Sequence, residues 1–222
     1  MKILEQVMYL FPYFFLGHLI GDYVLQNSYI AARKGKDLKV LIFHIFLVFM
    51  SQLLVIVGKG FTMEHFISVF LSIVFLSLIH FFIDMLKYLC KKSFCRTWYY
   101  YLFDQLLHVL SLIVIILLMT NLGEYQLLIP RTLAVLLSVS VFNGYFLGIL
   151  THFIISSGAY KRDYIGYALR MISPFFYIIN IYAYMIYALF CLAVLIYRYS
   201  KSNLLNYIFT LILTIILLEV ML

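Results

Sequence analysis

The sequence predicts an all-α fold: a polytopic bundle of about seven transmembrane helices, with six also possible, and no soluble domain. Two observations lead to this prediction. The 222 residues are 66% hydrophobic and only 11% charged, and a soluble domain of this size needs far more charge on its surface. The apolar residues also occur in runs of about 20, which is the length that a helix needs to cross the hydrocarbon core of a bilayer.

Seven apolar runs are long enough to be spans, and short connections separate them. They are residues 5–26, 38–57, 64–88, 98–120, 129–156, 171–197 and 203–222. We expect residues 1–120 to form a four-helix membrane core and residues 121–222 to add further helices to the same bundle. The first run is not expected to be a cleaved signal peptide, because it contains His18 and Asp22 and lacks a small-residue cleavage site.

Basic residues concentrate in alternate connections, and this pattern predicts the orientation. The first, third and fifth connections hold Arg33, Lys34, Lys36 and Lys39, then Lys87, Lys91, Lys92 and Arg96, then Lys161, Arg162 and Arg170. The second and fourth hold only Lys59 and Arg131. The positive-inside rule therefore places the N-terminus outside and the C-terminus inside. Arg198 and Lys201 oppose this assignment, so one of the last two segments could fail to cross.

The net charge of +7 indicates lipid rather than nucleic acid as the partner. We expect an integral membrane protein whose basic connections contact anionic headgroups. No soluble basic face is available for nucleic acid, and the oligomeric state stays open. Cys90 and Cys95 fall in a connection assigned to the cytoplasm, so reduced thiols are expected there, and Cys191 is expected to be a packing residue.

A polar stripe interrupts the first apolar run. His18, Asp22 and Gln26 follow one another at four-residue steps, so on an α-helix they share one face. A charged Asp inside a membrane span costs roughly 2.5–3.5 kcal/mol on insertion scales and therefore needs a partner. The stripe predicts a buried polar site.

The same spacing recurs in the third and fourth spans, as His80 with Asp84 and as Asp104 with His108. Alternating helix directions would bring these residues to one depth near the cytoplasmic side. His44 and His152 are expected at similar depth in the second and fifth spans. The sequence thus predicts a polar chamber lined by five helices in the inner leaflet.

These residues also carry a family resemblance. The runs GHLIGDYVLQNSYIAARKGKDLKVLIFH, HFFIDMLK and FDQLLHVL resemble the bacterial membrane family known as domain of unknown function 3307, over about residues 14–120. The positions that match its pattern are His18, Gly21, Asp22, Gln26, Lys34, His44, His80, Asp84, Lys87, Asp104, Gln105 and His108. In a later stretch that is similar to longer members, Leu169 stands where a Glu is expected before Arg170. The resemblance implies an architecture and a site but no reaction.

The chemistry of the cluster favours a metal-dependent membrane hydrolase that acts on a lipid or phosphate-bearing substrate. Imidazole and carboxylate ligands suit zinc, manganese or iron, and a bound metal generates a hydroxide nucleophile. The predicted metal ligands are His18, Asp22, His80, Asp84, Asp104 and His108, and the three aspartates are also the predicted catalytic groups. The residues expected to orient these ligands or to contact the substrate are Gln26, Lys34, His44, Lys87, Gln105 and His152.

Two other functions use the same residues. Intramembrane Asp and His chains also form proton relays and cation pathways, which would make the protein a divalent-cation or proton transporter. Polar pairs can instead simply hold helices together. Such contacts contribute only about 0.6 kcal/mol each on average, so burying three carboxylates for structure alone would be costly.

Overall fold

Nearly every residue is helical in the computed structural model of the protein, which describes residues 3–59, 62–90, 92–119, 126–155, 160 and 162–222. The predicted all-α class is confirmed. The chain divides within one helix into two units, Met1–Ala134 and Val135–Leu222, each with its own packed interior.

The first unit is built from four long helices and their connections. Its helices are α1 (Ile3–Leu19), α2 (Ser28–Arg33), α3 (Leu38–Val55), α4 (Met63–Leu89) and α5 (Trp98–Leu118). A π-helical turn (Ile20–Val24) continues α1, a 3-10 turn (Ser93–Arg96) precedes α5, and strands β1 (Gly58–Lys59) and β2 (Gln126–Leu127) pair antiparallel. Side chains of Asp37, Thr62 and Thr97 cap α3, α4 and α5 by accepting main-chain N–H bonds in their first turns.

The four long helices close into a ring around a shared core. α1 packs against α3 and α5, and α4 packs against the same two helices. Gly17 in α1 and Gly21 in the π-turn let this segment approach α3 closely. A Cβ added to Gly21 would lie 2.7 Å from the Val48 Cα. The Gln52 amide then reaches the Phe14 carbonyl at 2.9 Å. Consecutive helices run in opposite directions, so the ends of α1 and α4 lie beside the beginnings of α3 and α5.

The second unit contains most of α6 (Arg131–Val141) and the rest of the chain. Its other elements are a π-helical turn (Phe142–Phe146), α7 (Leu147–Ile155), α8 (Tyr164–Met171), α9 (Ser173–Ile179), α10 (Ile181–Tyr197) and α11 (Lys201–Met221). Asn143 in the π-turn donates to the hydroxyls of Ser173 (2.9 Å) and Thr214 (2.8 Å). Arg170 is buried in α8 and donates to the main-chain carbonyls of Asn143 and Gly144, so it is not a surface charge of a connection, contrary to expectation.

Six helical segments in the described residues are long and apolar enough to cross a membrane. They are Leu4–Val24, Leu38–Val55, Met63–Leu89, Trp98–Leu118, Arg131–Ile155 and Lys201–Met221. They coincide closely with the predicted spans, except that the expected span 171–197 is not one helix. Asn180 has an extended backbone (φ −179°, ψ 168°) and accepts from the Ala183 N–H, so it ends one helix and caps the next. The result is two shorter helices, α9 and the 17-residue α10.

The connection between α4 and α5 also differs from expectation. The Cys90 and Cys95 side chains meet, with Cα atoms 6.3 Å apart, a separation that a disulfide can span, where reduced thiols were expected. The 3-10 turn folds the chain back and brings the second cysteine to the first. Cys191 is buried and packs against Tyr184 and Tyr187, as expected.

Candidate functional site

The predicted polar residues of the first unit meet at one end of the helix ring. Seven His and Asp residues take part, and none is more than 4% exposed. They come from the end of α1 and its π-turn, from the beginning of α3, from the end of α4 and from the beginning of α5. This set, called the His/Asp cluster below, consists of His18, Asp22, His44, His80, Asp84, Asp104 and His108.

Asp22 lies in the π-helical turn. The four-residue spacing of His18, Asp22 and Gln26 predicted a continuous α-helix here. The Leu25 N–H donates to the Ile20 carbonyl at 2.9 Å, a five-residue step that widens the last turn. The helix ends at Val24, so Gln26 lies beyond it and the expected α-helical stripe to that residue is wrong. Single π-turns often occur at functional sites, and this one directs the Asp22 carboxylate into the ring.

The Asp22 carboxylate is surrounded by imidazoles. Its oxygens lie 3.2 Å from His44 Nε2, 3.3 Å from His80 Nε2 and 3.7 Å from His18 Nε2. Among the described residues, no Lys or Arg nitrogen lies within 4.0 Å of it. The buried Asp22 carboxylate therefore has imidazoles as its charge partners. An imidazole offsets the negative charge only when it is protonated or binds a cation.

The Asp84 carboxylate is the second centre of the cluster. It lies 3.3 Å from His44 Nε2, 3.7 Å from His80 Nε2 and 4.0 Å from His108 Nε2. Lys34 Nζ donates to it at 3.0 Å and to His44 Nε2 at 2.9 Å, so this lysine lies inside the cluster. Burial lowers the pKa of Lys34, but the negative charges of Asp84 and Asp22 outweigh it and hold that pKa above its usual value.

Asp104 connects the cluster to a hydrogen-bonded row of side chains. The Lys87 side chain is about a third exposed, and its Nζ atom donates to the Asp104 carboxylate at 3.1 Å. Gln105 Nε2 donates to the same carboxylate at 3.2 Å. The Tyr23 hydroxyl donates to Gln105 Oε1 and contacts the Tyr101 hydroxyl, both at 2.8 Å. Sequence reasoning missed both tyrosines, although the four-residue step from Tyr101 to Gln105 is a signal that could have singled one out.

Several lone pairs in the cluster are not used by hydrogen bonds. The Nε2 atoms of His18, His80 and His108 and the Oδ1 atom of Asp22 have no hydrogen-bond partner in the described part of the chain. Of these atoms, His80 Nε2 and Asp22 Oδ1 lie 3.3 Å apart, which is ion-pair distance, but they do not form a hydrogen bond. Each unsatisfied buried polar atom costs about 1–3 kcal/mol, and a cluster that only held helices together would be expected to satisfy them.

Three sets of side chains in the cluster have ligand atoms within 4.8 Å of one another and could hold a metal ion. They are His18 with His80 and His108, Asp22 with His44 and His80, and Asp84 with Asp104 and His108. The ring centroids of His80 and His108 are 4.1 Å apart, and that of His18 lies within 5.3 Å of both. His44, which the sequence suggested as a residue that orients ligands or substrate, is fully buried and lies within 3.3 Å of two carboxylates.

Two other histidines do not join these sets. His152 belongs to the second unit, where its ring packs against Tyr160 with centroids 5.2 Å apart, and none of the three sets includes it. A contribution of His152 to the cluster stays a prediction. His65 lies in the first turn of α4, at the opposite end of that helix from His80 and Asp84.

Comparison with known proteins gives one match. A family model described as "Protein of unknown function (DUF3307)" matches residues 10–136, a range that contains the whole His/Asp cluster together with Lys34 and Lys87. Neither a curated protein nor a solved structure matches the chain.

Proposed function

The chain belongs to the DUF3307 family, whose function is unknown, and we propose that it is a metal-dependent membrane hydrolase whose His/Asp cluster binds a divalent ion. The observation that carries the proposal is the convergence of the imidazoles of His18, His80 and His108, whose Nε2 atoms have no hydrogen-bond partner among the described residues. A metal ion is the partner that such a set of buried nitrogens fits, because it accepts several lone pairs at one point.

The donor set indicates which ions fit. Imidazole nitrogens with carboxylate oxygens suit zinc, manganese or iron, and helical bundles build such centres from side chains on facing helices. The proposed ligands are those predicted from the sequence, namely His18, Asp22, His80, Asp84, Asp104 and His108. His44 joins them, because its Nε2 atom lies within 3.3 Å of two of the carboxylates.

Hydrolysis is the reaction that this arrangement supports best. A metal ion in the cluster would lower the pKa of a bound water and polarise a phosphoryl or carbonyl oxygen. The aspartates that do not bind the ion would accept the water's proton. Lys87, about a third exposed beside Asp104, supplies a positive charge that would attract a phosphate group.

A membrane substrate follows from the surroundings of the cluster. The cluster lies inside a ring of four helices, each long and apolar enough to cross a bilayer. A lipid or another phosphate-bearing amphiphile could reach it sideways from the bilayer. With the orientation that the basic residues predict, the cluster would lie in the inner leaflet of a bacterial cytoplasmic membrane.

The test combines metal content with turnover. The purified protein is loaded with zinc, manganese or iron, its bound metal is measured by elemental mass spectrometry, and phosphate release is followed from phospholipids and prenyl phosphates in proteoliposomes. We expect a stoichiometric ion and metal-dependent release, both lost in His80→Gln. His65→Gln is the matched control, since that histidine lies at the far end of α4.

Other results would assign the cluster to another function. Metal flux across the proteoliposome membrane without hydrolysis would make the protein a transporter. The absence of a stoichiometric metal under all loading conditions would refute the proposal and favour a structural role.

A further inference from the structure

Lys34 occupies an unusual position in the His/Asp cluster. Its ammonium lies 3.0 Å from Asp84 Oδ2 and 2.9 Å from His44 Nε2. The same His44 atom lies 3.2 Å from Asp22 Oδ1. Three electron-rich atoms, which come from α3, α4 and the π-turn after α1, therefore surround one place. The Lys34 Nζ atom contacts two of them.

The hydrogen-bond roles at this place are fixed by the ammonium. Lysine can only donate, so His44 Nε2 must offer its lone pair to Lys34. A carboxylate oxygen likewise offers a lone pair. These are the lone pairs that a metal ion needs, at about 2.0–2.2 Å. An ammonium and a metal ion therefore exclude each other at His44 Nε2, which has one lone pair, and they compete for Asp84 Oδ2 beside it.

A second place in the cluster has no such competitor. The Nε2 atoms of His18, His80 and His108 have no hydrogen-bond partner among the described residues, and no lysine nitrogen contacts them there. A first ion can bind these imidazoles while Lys34 stays where it is. The cluster thus offers two cation positions, an imidazole position and a carboxylate position, and Lys34 fills the second.

We propose that the cluster is a two-metal centre in which Lys34 competes with the second divalent ion for Asp84 and His44. This inference rests on the proposed metal-dependent function. Two ions about 3.5–4 Å apart are the usual arrangement in enzymes that hydrolyse phosphate esters, because they stabilise both the attacking and the leaving oxygen. The second ion enters when the ammonium leaves.

Charge and local packing support this exchange. Three carboxylates and the ammoniums of Lys34 and Lys87 leave the cluster with one net negative charge when its imidazoles are neutral. If two divalent ions were bound with both lysines still in place, the net charge of the cluster would become strongly positive. Release of Lys34 would reduce that positive charge. The lysine follows the short helix α2, and a Cβ added to the next residue, Gly35, would meet no atom within 4 Å. The open space beside Gly35 leaves room for the segment that carries Lys34 to move.

The test is a Mn²⁺ titration of the full-length protein in detergent. Lys34→Met removes the ammonium but keeps the length of the side chain, and Lys36→Met, an exposed lysine in the same connection, is the matched control. We expect the native protein and the control to bind one ion tightly and a second at least tenfold more weakly. Lys34→Met should bind the second ion at least tenfold more tightly and show the magnetic-resonance signal of a coupled Mn²⁺ pair.

The possible failures are distinguishable. One ion bound with equal affinity in the native protein and in Lys34→Met would overturn the two-metal inference and leave the metal-dependent function standing. Absence of metal from every variant would overturn both. Should Lys34→Met not fold, Lys34→Gln takes its place with the same expected result. In the native protein, cleavage by trypsin after Lys34 should also increase at the Mn²⁺ concentrations that fill the second position, and unchanged cleavage would contradict release of the lysine.

Discussion

Replacing Asp22 with Asn distinguishes a metal-binding carboxylate from a structural one, because the two roles predict opposite effects on metal-free stability. Asp22 is 4% exposed, and among the described residues the basic groups within 4.0 Å of its oxygens are all imidazoles. A charged Asp in a membrane span costs roughly 2.5–3.5 kcal/mol on insertion scales. The neutral amide of the Asp22→Asn variant would avoid that cost, so without metal the variant should be at least as stable as the native protein.

The effect with metal should be opposite. At an ion concentration 100 times the dissociation constant, binding stabilises the native protein by about 2.7 kcal/mol. Loss of a group that only supports a ligand weakens metal affinity about 10–100-fold, so loss of a ligand should weaken it at least 100-fold. At the same ion concentration the variant would then gain only about 0.4 kcal/mol.

The assay is unfolding in detergent, followed by circular dichroism with and without the metal. Asp37→Asn is the control, because that residue caps α3 without belonging to the cluster and Asn is an equally good cap. A structural ion pair with protonated histidines would give a different result. Breaking it should destabilise the metal-free variant by about 3–5 kcal/mol, and that outcome would refute the metal-binding account.

Three further substitutions test other parts of the site. His44→Ala should lower the affinity for the second ion at least tenfold in a titration, since its Nε2 lies within 3.3 Å of two carboxylates, whereas His152→Ala should change neither affinity. Tyr23→Phe removes the hydroxyl that holds Gln105 beside Asp104, so metal should be retained while the rate of phosphate release falls roughly tenfold. Gly21→Ala should destabilise the protein by about 1–3 kcal/mol in thermal unfolding, because its Cβ would meet the backbone of α3 at 2.7 Å, and Gly35→Ala, with open space around it, should not.

The sequence was sufficient to locate most of the cluster. His18 with Asp22 and His80 with Asp84 are four residues apart on apolar helices, and the two members of each pair contact each other, at 3.7 Å in both cases. The alternation of helix directions brings the pairs to one end of the ring, as the spacing and the basic connections predicted. Local periodicity predicts such features because burying polar groups at one depth requires them to share a helix face.

Features that depend on non-local packing were not predicted. The π-turn at Asp22 arises where Gly21 packs tightly on α3, so helical periodicity could not show that Gln26 leaves the stripe. The direct contact of Lys34 with the cluster depends on Asp84, which lies 50 residues away in the sequence, and the position of this lysine in a basic connection does not indicate it. The break at Asn180 depends on one side-chain cap within an otherwise continuous apolar run.

The central claim, that the His/Asp cluster binds a metal ion through imidazoles of different helices, is tested most directly by X-ray absorption spectroscopy of the metal-loaded protein. For bound zinc we predict nitrogen and oxygen ligands at about 2.0–2.2 Å, with scattering from at least two imidazoles. That imidazole scattering should fall in the double variant His18→Ala, His80→Ala. Failure of the native protein to hold a stoichiometric ion, or a zinc spectrum without imidazole scattering, would contradict the account.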